Sequence, residues 1–126
     1  MEQKYLMDTN AVIDYLDNKL PDNSAKLIDK IDAQVSVITR MELLSWHKAT
    51  RKQIKVLQEF INGSNVIGLE ENIILRTIEL RKQYKIKLPD AIIAATALAG
   101  KMFLISHNIA DFIKIPRLKV IDPWQK

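Results

Sequence analysis

Residues 5–10, Tyr-Leu-Met-Asp-Thr-Asn, give the first indication of the fold because they join an uncharged apolar run to a carboxylate. Tyr5-Leu6-Met7 predicts a short buried strand that ends at Asp8. Asn10 can cap a helix, and the apolar spacing that follows predicts an amphipathic helix over residues 11–16. An acid that closes an apolar strand against a buried core loses solvation. Asp8 is therefore the first candidate for a functional residue.

Beyond this stretch, short apolar runs alternate with segments of helical periodicity. Further strands are predicted at residues 35–38, 66–67, 102–105 and 119–121. Helices are predicted at residues 24–31 with Ser24 as the cap, 39–46 opened by Thr39, 50–61, 70–84 with Ile74, Leu75 and Ile78 on one apolar side, 89–99 and 108–112. The helix at 89–99 is apolar nearly all round and is expected to be buried. The alternation predicts an α/β fold whose parallel sheet is covered by helices on both faces.

Length and composition indicate one globular domain over residues 1–126. Hydrophobic residues make up 48% and charged residues 27%, a balance that rules out intrinsic disorder. The absence of cysteine excludes disulfides and thiolate chemistry, and two histidines are too few for a histidine-rich zinc site. Any metal in this protein must therefore be bound mainly by oxygen atoms.

No targeting or membrane segment is expected. Glu2 and Asp8 interrupt the N-terminus where a signal peptide needs a basic region followed by an apolar run. The most apolar stretch, residues 91–99, is far shorter than the ~20 residues that span a bilayer. The sequence predicts a soluble, cytoplasmic protein without a membrane partner.

The net charge of +4 is unevenly distributed along the chain. Residues 1–32 carry seven acids and four bases, or −3, which leaves +7 for residues 33–126. Two groups of cations contain no acid: Lys48, Arg51, Lys52 and Lys55, and Arg81, Lys82, Lys85 and Lys87. This balance is compatible with a phosphate-backbone partner, although charge alone favours solvated helix faces.

Three more carboxylates are expected at the same edge of the sheet as Asp8. Glu42 lies in the first turn of the helix after the second strand, Asp90 begins the buried helix, and Asp111 follows the strand that ends near Ser106. In parallel sheets, ligands bind beyond the carboxyl ends of the strands. Four carboxylates in one pocket repel each other and hold raised pKa values unless a cation neutralises them. Mg²⁺ or Mn²⁺ suits such an all-oxygen site and can activate water against a phosphate.

Each of these later carboxylates also has a structural interpretation. Thr39-x-x-Glu42 matches a capping box, which its spacing alone favours. Asp90 can stabilise the positive end of its own helix, and Asn108-x-x-Asp111 can be a local cap with its partner. His107 is more readily explained as a hydrogen-bonding surface residue than as a catalytic base. Spacing alone leaves these alternatives open.

Four motifs stand in the order and spacing of the PIN-domain family. They are Met7-Asp8-Thr9-Asn10, Thr39-x-x-Glu42-Leu43, the run Leu88-Pro89-Asp90-Ala91-Ile92-Ile93-Ala94-Ala95, and Ser106-His107-Asn108-x-x-Asp111-Phe112. The chain most resembles the small VapC-type toxins of bacterial toxin–antitoxin pairs. The resemblance extends from Tyr5 to the strand at 119–121 and departs from the pattern at His107, where many relatives carry arginine or another polar residue.

The resemblance implies a three-layer α/β/α fold and Mg²⁺- or Mn²⁺-dependent endoribonuclease activity. Its acidic metal ligands and catalytic residues map to Asp8, Glu42, Asp90 and Asp111. Its supporting polar positions map to Thr9, Asn10, Thr39, Ser106 and Asn108. It also implies an RNA substrate, a homodimer and inhibition by a cognate antitoxin. The alternative functions are a non-catalytic PIN-like module that binds RNA or a partner, and a housekeeping RNA-processing nuclease.

Overall fold

The structure is a computed structural model that describes residues 2–125 of the chain. Within those residues, five short strands form one sheet in the order β3-β2-β1-β4-β5. The strands are β1 (Tyr5–Met7), β2 (Gln34–Ser36), β3 (Asn65–Ile67), β4 (Phe103–Ile105) and β5 (Val120–Ile121). Every pairing between neighbouring strands is parallel. The parallel sheet that the alternating pattern predicts is therefore present.

Seven helices connect and cover these strands in the described part of the chain. They are α1 (Thr9–Leu16), α2 (Asp22–Lys30), α3 (Val37–Leu44), α4 (Arg51–Asn62), α5 (Glu71–Gln83), α6 (Leu88–Ala99) and α7 (Ile109–Phe112). Of these helices, none combines the length and the apolar content that a bilayer crossing requires.

The order of the strands reverses at β1, which positions the functional edge. β2 and β3 lie on one side of β1, whereas β4 and β5 lie on the other. β1 pairs with β4 in the register Tyr5–Phe103, Leu6–Leu104 and Met7–Ile105. A reversal of this kind opens a crevice at the carboxyl ends of the two central strands. Asp8, which follows β1, and Ser106, which follows β4, lie at this point of the sheet.

Alternation along the strands divides the core into two clusters, one on each face of the sheet. Leu6 and Leu104 pack into the cluster that contains the buried residues of α5 and α6. Met7 and Ile105, their neighbours along the two strands, pack into the cluster that contains buried residues of α1, α2 and α4. Successive side chains of a strand point to opposite faces. The α/β/α layering that the resemblance implies is thus confirmed.

Helix α6 forms much of the core. The seven residues from Ala91 to Ala97 are all buried, as the apolar composition of this segment predicts. Pro89 lies in the first turn, where its missing N–H costs nothing, and Gly100 caps the C-terminus. The helix therefore holds Asp90, in its first turn, at a fixed point beside the sheet.

Three helix starts differ from the prediction. Asp8 rather than Asn10 caps α1, because Asp8 has extended backbone angles and its side chain accepts a hydrogen bond from Thr9 N. Ser24 does not cap α2, which begins at Asp22 after Pro21 and buries Ser24. The third difference concerns α3, where Ser36 ends β2 and caps the helix through Ile38 N, so Thr39 lies inside the helix rather than at its start.

The buried side of α5 was also predicted wrongly. Ile73, Thr77 and Leu80 face the core, whereas Leu75 and Ile78 are 54% and 46% exposed. Burial of Thr77 on this face leaves no unsatisfied hydroxyl. Its Oγ1 donates to the Ile73 carbonyl oxygen at 2.8 Å, one turn earlier in the same helix.

Candidate active site at the carboxyl edge of the sheet

Asp8 is the most firmly held carboxylate of this edge. It is 4% exposed, and its Oδ1 accepts a hydrogen bond from Thr9 N at 2.8 Å. Its Oδ2 accepts from Ser106 Oγ at 2.7 Å and from Asn10 Nδ2 at 3.0 Å. Burial raises the pKa of Asp8, and the charge of Glu42 adds to that rise, while the three donors oppose it. Asp8 is thus fixed in place but costly to ionise.

Two threonines connect Glu42 to the same edge. Thr9 Oγ1 donates to Glu42 Oε1 at 2.7 Å, and the hydroxyl oxygens of Thr9 and Thr39 are 3.1 Å apart. Thr39 is fully buried, whereas Glu42 is exposed on α3. Because Ser36 is the cap of this helix, Glu42 is not the third helical residue and the capping-box interpretation is wrong. The Glu42 carboxylate instead faces the residues that follow β1.

The pKa of Asp90 responds to the charges of the other three carboxylates. Asp90 is half-buried in the first turn of α6. Burial raises its pKa most, followed by the charges of Asp8, Asp111 and Glu42, whereas Lys87 lowers it. All four predicted carboxylates are therefore near enough to affect one ionisation equilibrium. The structure brings together at one edge the four acids that the sequence places after separate strands.

Asp111 is joined to Asp8 through a short chain of hydrogen bonds. Asn108 Nδ2 donates to Asp111 Oδ2 at 3.0 Å, and Asn108 N donates to Ser106 Oγ, also at 3.0 Å. The same Ser106 hydroxyl donates to Asp8, and Ser106 is fully buried. The local pairing of Asn108 with Asp111 is present, but the Asn108 side chain makes no helix-capping bond. Asp111 is thus oriented by the segment that holds Asp8.

Asn10 and His107 join the loops after β1 and β4. Asn10 Oδ1 accepts a hydrogen bond from His107 N at 3.1 Å while its Nδ2 donates to Asp8. The exposed His107 ring places Nδ1 at 3.0 Å from Asp122 Oδ1, and Asp122 also accepts from Trp124 N. Sequence reasoning missed Asp122, although an acid directly after the apolar strand β5 repeats the signal that singled out Asp8. Its partner His107 extends the polar edge toward β5.

The donor chemistry of the four carboxylates fits a hard divalent cation. Every candidate ligand atom is an oxygen, and the pKa values of Asp8 and Asp90 are raised first by burial and then by the neighbouring carboxylates. Among residues 2–125, however, no three acidic or histidine side chains are grouped closely enough to hold one ion together. The charges thus converge, while the oxygen atoms are spread more widely than a single ion's coordination shell.

The fold and this edge define a class of protein: a parallel α/β protein with a carboxylate cluster where its strand order reverses. The chain belongs to the PIN domain family, whose model matches residues 5–118. It is similar to Ribonuclease VapC2 of Rickettsia felis, with 29% identity over 134 residues that cover 97% of this chain and 98% of the relative.

Solved structures give the same family relationship. A toxin–antitoxin complex from Klebsiella pneumoniae contains a chain with 33% identity and a TM-score of 0.78, covering 98% of this chain and 100% of that one. DNA-bound VapBC from Salmonella typhimurium contains a chain with 25% identity and a TM-score of 0.82, again over 98% of this chain and 100% of that one. Both matches span the sheet and the whole carboxylate edge.

Proposed function

We propose that this protein is a metal-dependent endoribonuclease, the toxin of a toxin–antitoxin pair, with its active site at the carboxylate edge. The observation that carries the proposal is the placement of Asp8, Glu42, Asp90 and Asp111 where the strand order reverses, with Asp8, Glu42 and Asp111 joined by hydrogen bonds through Thr9, Ser106 and Asn108. Membership of the PIN domain family and similarity to a VapC ribonuclease support RNA as the substrate.

Asp8 and Asp90 are the residues that would hold Mg²⁺ or Mn²⁺ most directly, with Glu42 next and Asp111 acting through water. When bound, the ion supplies a water of lowered pKa and stabilises charge on the attacked phosphate. The protein supplies orientation: Ser106 and Asn10 fix Asp8, and the Thr9 hydroxyl fixes Glu42.

The partners in this proposal are RNA, a cognate antitoxin protein and a second copy of the chain. Similar chains occur in toxin–antitoxin complexes from Klebsiella pneumoniae and Salmonella typhimurium, which supports an antitoxin partner here. The family resemblance implies the homodimer, and a cytoplasmic location follows from cellular RNA as the proposed substrate.

Cleavage of RNA by the purified protein tests the proposal. We expect cleavage with Mg²⁺ or Mn²⁺, none in EDTA, and none by Asp90→Asn, which removes one ligand charge while keeping the side-chain shape. Thermal unfolding of the variant serves as the control that the fold is intact. Undiminished cleavage in EDTA, or an Asp90→Asn protein as active as the wild type, would overturn the assignment.

A further inference from the structure

A pocket of about 370 Å³ lies at the amino-terminal edge of the sheet, away from the carboxylates. β4 begins in this pocket at Phe103 and ends at Ile105, next to the site residue Ser106. Lys119, directly before β5, also lines it. Because all the strands are parallel, the pocket and the carboxylate edge lie at opposite ends of β4, which separates them by about 10 Å.

The pocket is lined by four cations and by no acid: Arg76, Lys101, Arg117 and Lys119. They come from α5, from the turn after α6 and from the segment before β5, and all four are exposed. Within residues 2–125, none of them forms an ion pair. Like charges that line one concave surface repel each other and attract a polyanion, since their fields add.

An aromatic ring completes the lining of this pocket. Phe103 is half-buried there, and Tyr5 holds its ring edge-on, with centroids 5.8 Å apart and planes at 85°. Cations that contact phosphates, combined with a ring on which a base can stack, are the features of surfaces that bind single-stranded nucleic acid. A purely acidic peptide such as polyglutamate would match the cations but has no ring to stack on Phe103.

We propose that this basic pocket binds phosphates of a single-stranded RNA chain, with one base stacked on Phe103, at a point remote from the bond that is cut. The choice of RNA rests on the proposed function, whereas phosphate binding rests on the pocket itself. The two sites give the molecule an acidic edge for chemistry and a basic edge for holding the chain.

Salt-dependent RNA binding by the double variant R76Q/K119Q tests the proposal. Both substitutions are in the full chain with Asp90→Asn, so that bound RNA oligomer is not cleaved. Arg76 and Lys119 are chosen because Lys101 and Arg117 have left-handed backbone, with φ of 53° and 70°, where any substitution is less easily interpreted. If each side chain contacts one phosphate, the negative slope of log K against log salt becomes shallower by about 1.4 in the double variant.

The matched control is K19Q/K26Q, which removes the same charge from residues after α1 and on α2 that do not line the pocket. We expect its salt slope to equal that of the Asp90→Asn protein. Equal slopes for the two double variants would overturn the proposal, because the change would then reflect net charge alone. Displacement of the RNA by polyglutamate as effectively as by unlabelled RNA would also overturn it, since the pocket would then bind any polyanion without selecting RNA.

Phe103→Leu tests the stacking part of the proposal. It keeps apolar bulk against Tyr5 but removes the ring, so RNA binding should weaken several-fold while binding of tripolyphosphate is unchanged. An equal loss for both ligands would contradict stacking. Failure here is distinguishable from failure of the proposed function: a protein that binds RNA through this pocket but never cleaves it overturns only the nuclease assignment.

Discussion

At the scale of single residues, the carboxylates of Asp8 and Asp90 differ in the hydrogen bonds that they accept. Both oxygen atoms of Asp8 accept hydrogen bonds from Thr9, Asn10 or Ser106. Within residues 2–125, no such donor contacts the Asp90 side chain, whose pKa is raised by burial and by three neighbouring acids. The same change from carboxylate to amide should therefore have opposite effects on stability at the two positions.

Asp90→Asn is expected to raise the melting temperature of the metal-free protein by a few degrees at pH 7. A relief of about 1 kcal/mol corresponds to such a shift in a domain of this size. Asp8→Asn should lower the melting temperature, because its amide N–H₂ would face donors that now bond to a carboxylate oxygen. Calorimetry in EDTA compares the two variants with the wild type. Destabilisation of both by the same amount would contradict the difference in their surroundings.

The stability of the metal-free protein should depend on pH through these two residues. Both pKa values are raised above the ordinary 3.8, so the folded state binds protons more tightly than the unfolded state. Their contribution is most favourable below pH 3.8 and is lost as pH rises through the raised values. Urea unfolding in EDTA at a series of pH values measures this loss. The difference between wild type and Asp90→Asn should grow across that range, and parallel curves would contradict the assignment.

At the scale of elements, α3 begins at a residue with a structural role and carries a proposed metal ligand farther along. Ser36 is almost fully buried and caps the helix, whereas Glu42 is exposed and bonded to Thr9. The helix therefore does not need the Glu42 charge to begin, even though spacing alone suggested a capping box. Glu42, which shares a sequence motif with Thr39, is therefore available to act at the carboxylate edge.

Glu42→Gln should leave the unfolding free energy within about 0.5 kcal/mol of wild type, since its amide oxygen can still accept from Thr9. Cleavage at limiting Mg²⁺ should fall sharply, because a neutral amide is a poorer ligand than a carboxylate. Ser36→Ala is the matched comparison and should cost about 1 kcal/mol of stability through loss of the cap. Urea unfolding and RNA cleavage give both readouts. Wild-type cleavage by Glu42→Gln at limiting Mg²⁺ would remove Glu42 from the site.

Helix α5 illustrates how tertiary contacts reassign a charged run. Arg81 Nε donates to the Ile86 carbonyl oxygen at 3.3 Å, and Lys82 lies 3.8 Å from Glu79. Two cations of the run that the sequence offered as a phosphate-binding group thus have contacts within the protein. The side chains of the four cations of the basic pocket form no ion pair among residues 2–125, although no single stretch of sequence contains them.

At the scale of the whole molecule, the carboxylate edge predicts that divalent ions stabilise the folded protein. On the proposed function Mg²⁺ binds only the folded arrangement of carboxylates, so the melting temperature should rise with the logarithm of the Mg²⁺ concentration once that exceeds Kd. A concentration of 100 times Kd corresponds to about 2.7 kcal/mol. Asp90→Asn should show a smaller rise, and K19Q/K26Q should match the wild type. A Mg²⁺ effect of equal size in Asp90→Asn would indicate binding away from this edge.

The sequence by itself determined the local features of this protein, because they depend on periodicity and residue type over a few positions. The three-residue strand β1, the buried helix α6 and the acids that follow the strands could all be predicted in this way. The same pattern predicted the parallel sheet covered on both faces, and the resemblance added the metal-dependent nuclease hypothesis. Helix caps were less predictable, since Asp8, Asn10 and Ser36 each have a side chain able to cap, and the choice depends on backbone angles.

Only the tertiary structure decided which distant residues meet. The reversal of strand order at β1 places Ser106 Oγ 2.7 Å from Asp8 Oδ2 across 98 positions of sequence. The same arrangement gathers the cations of the basic pocket from three separate segments and turns Thr77 rather than Ile78 toward the core. Such contacts depend on how helices and strands pack, which local periodicity does not encode because each amphipathic segment is compatible with several neighbours.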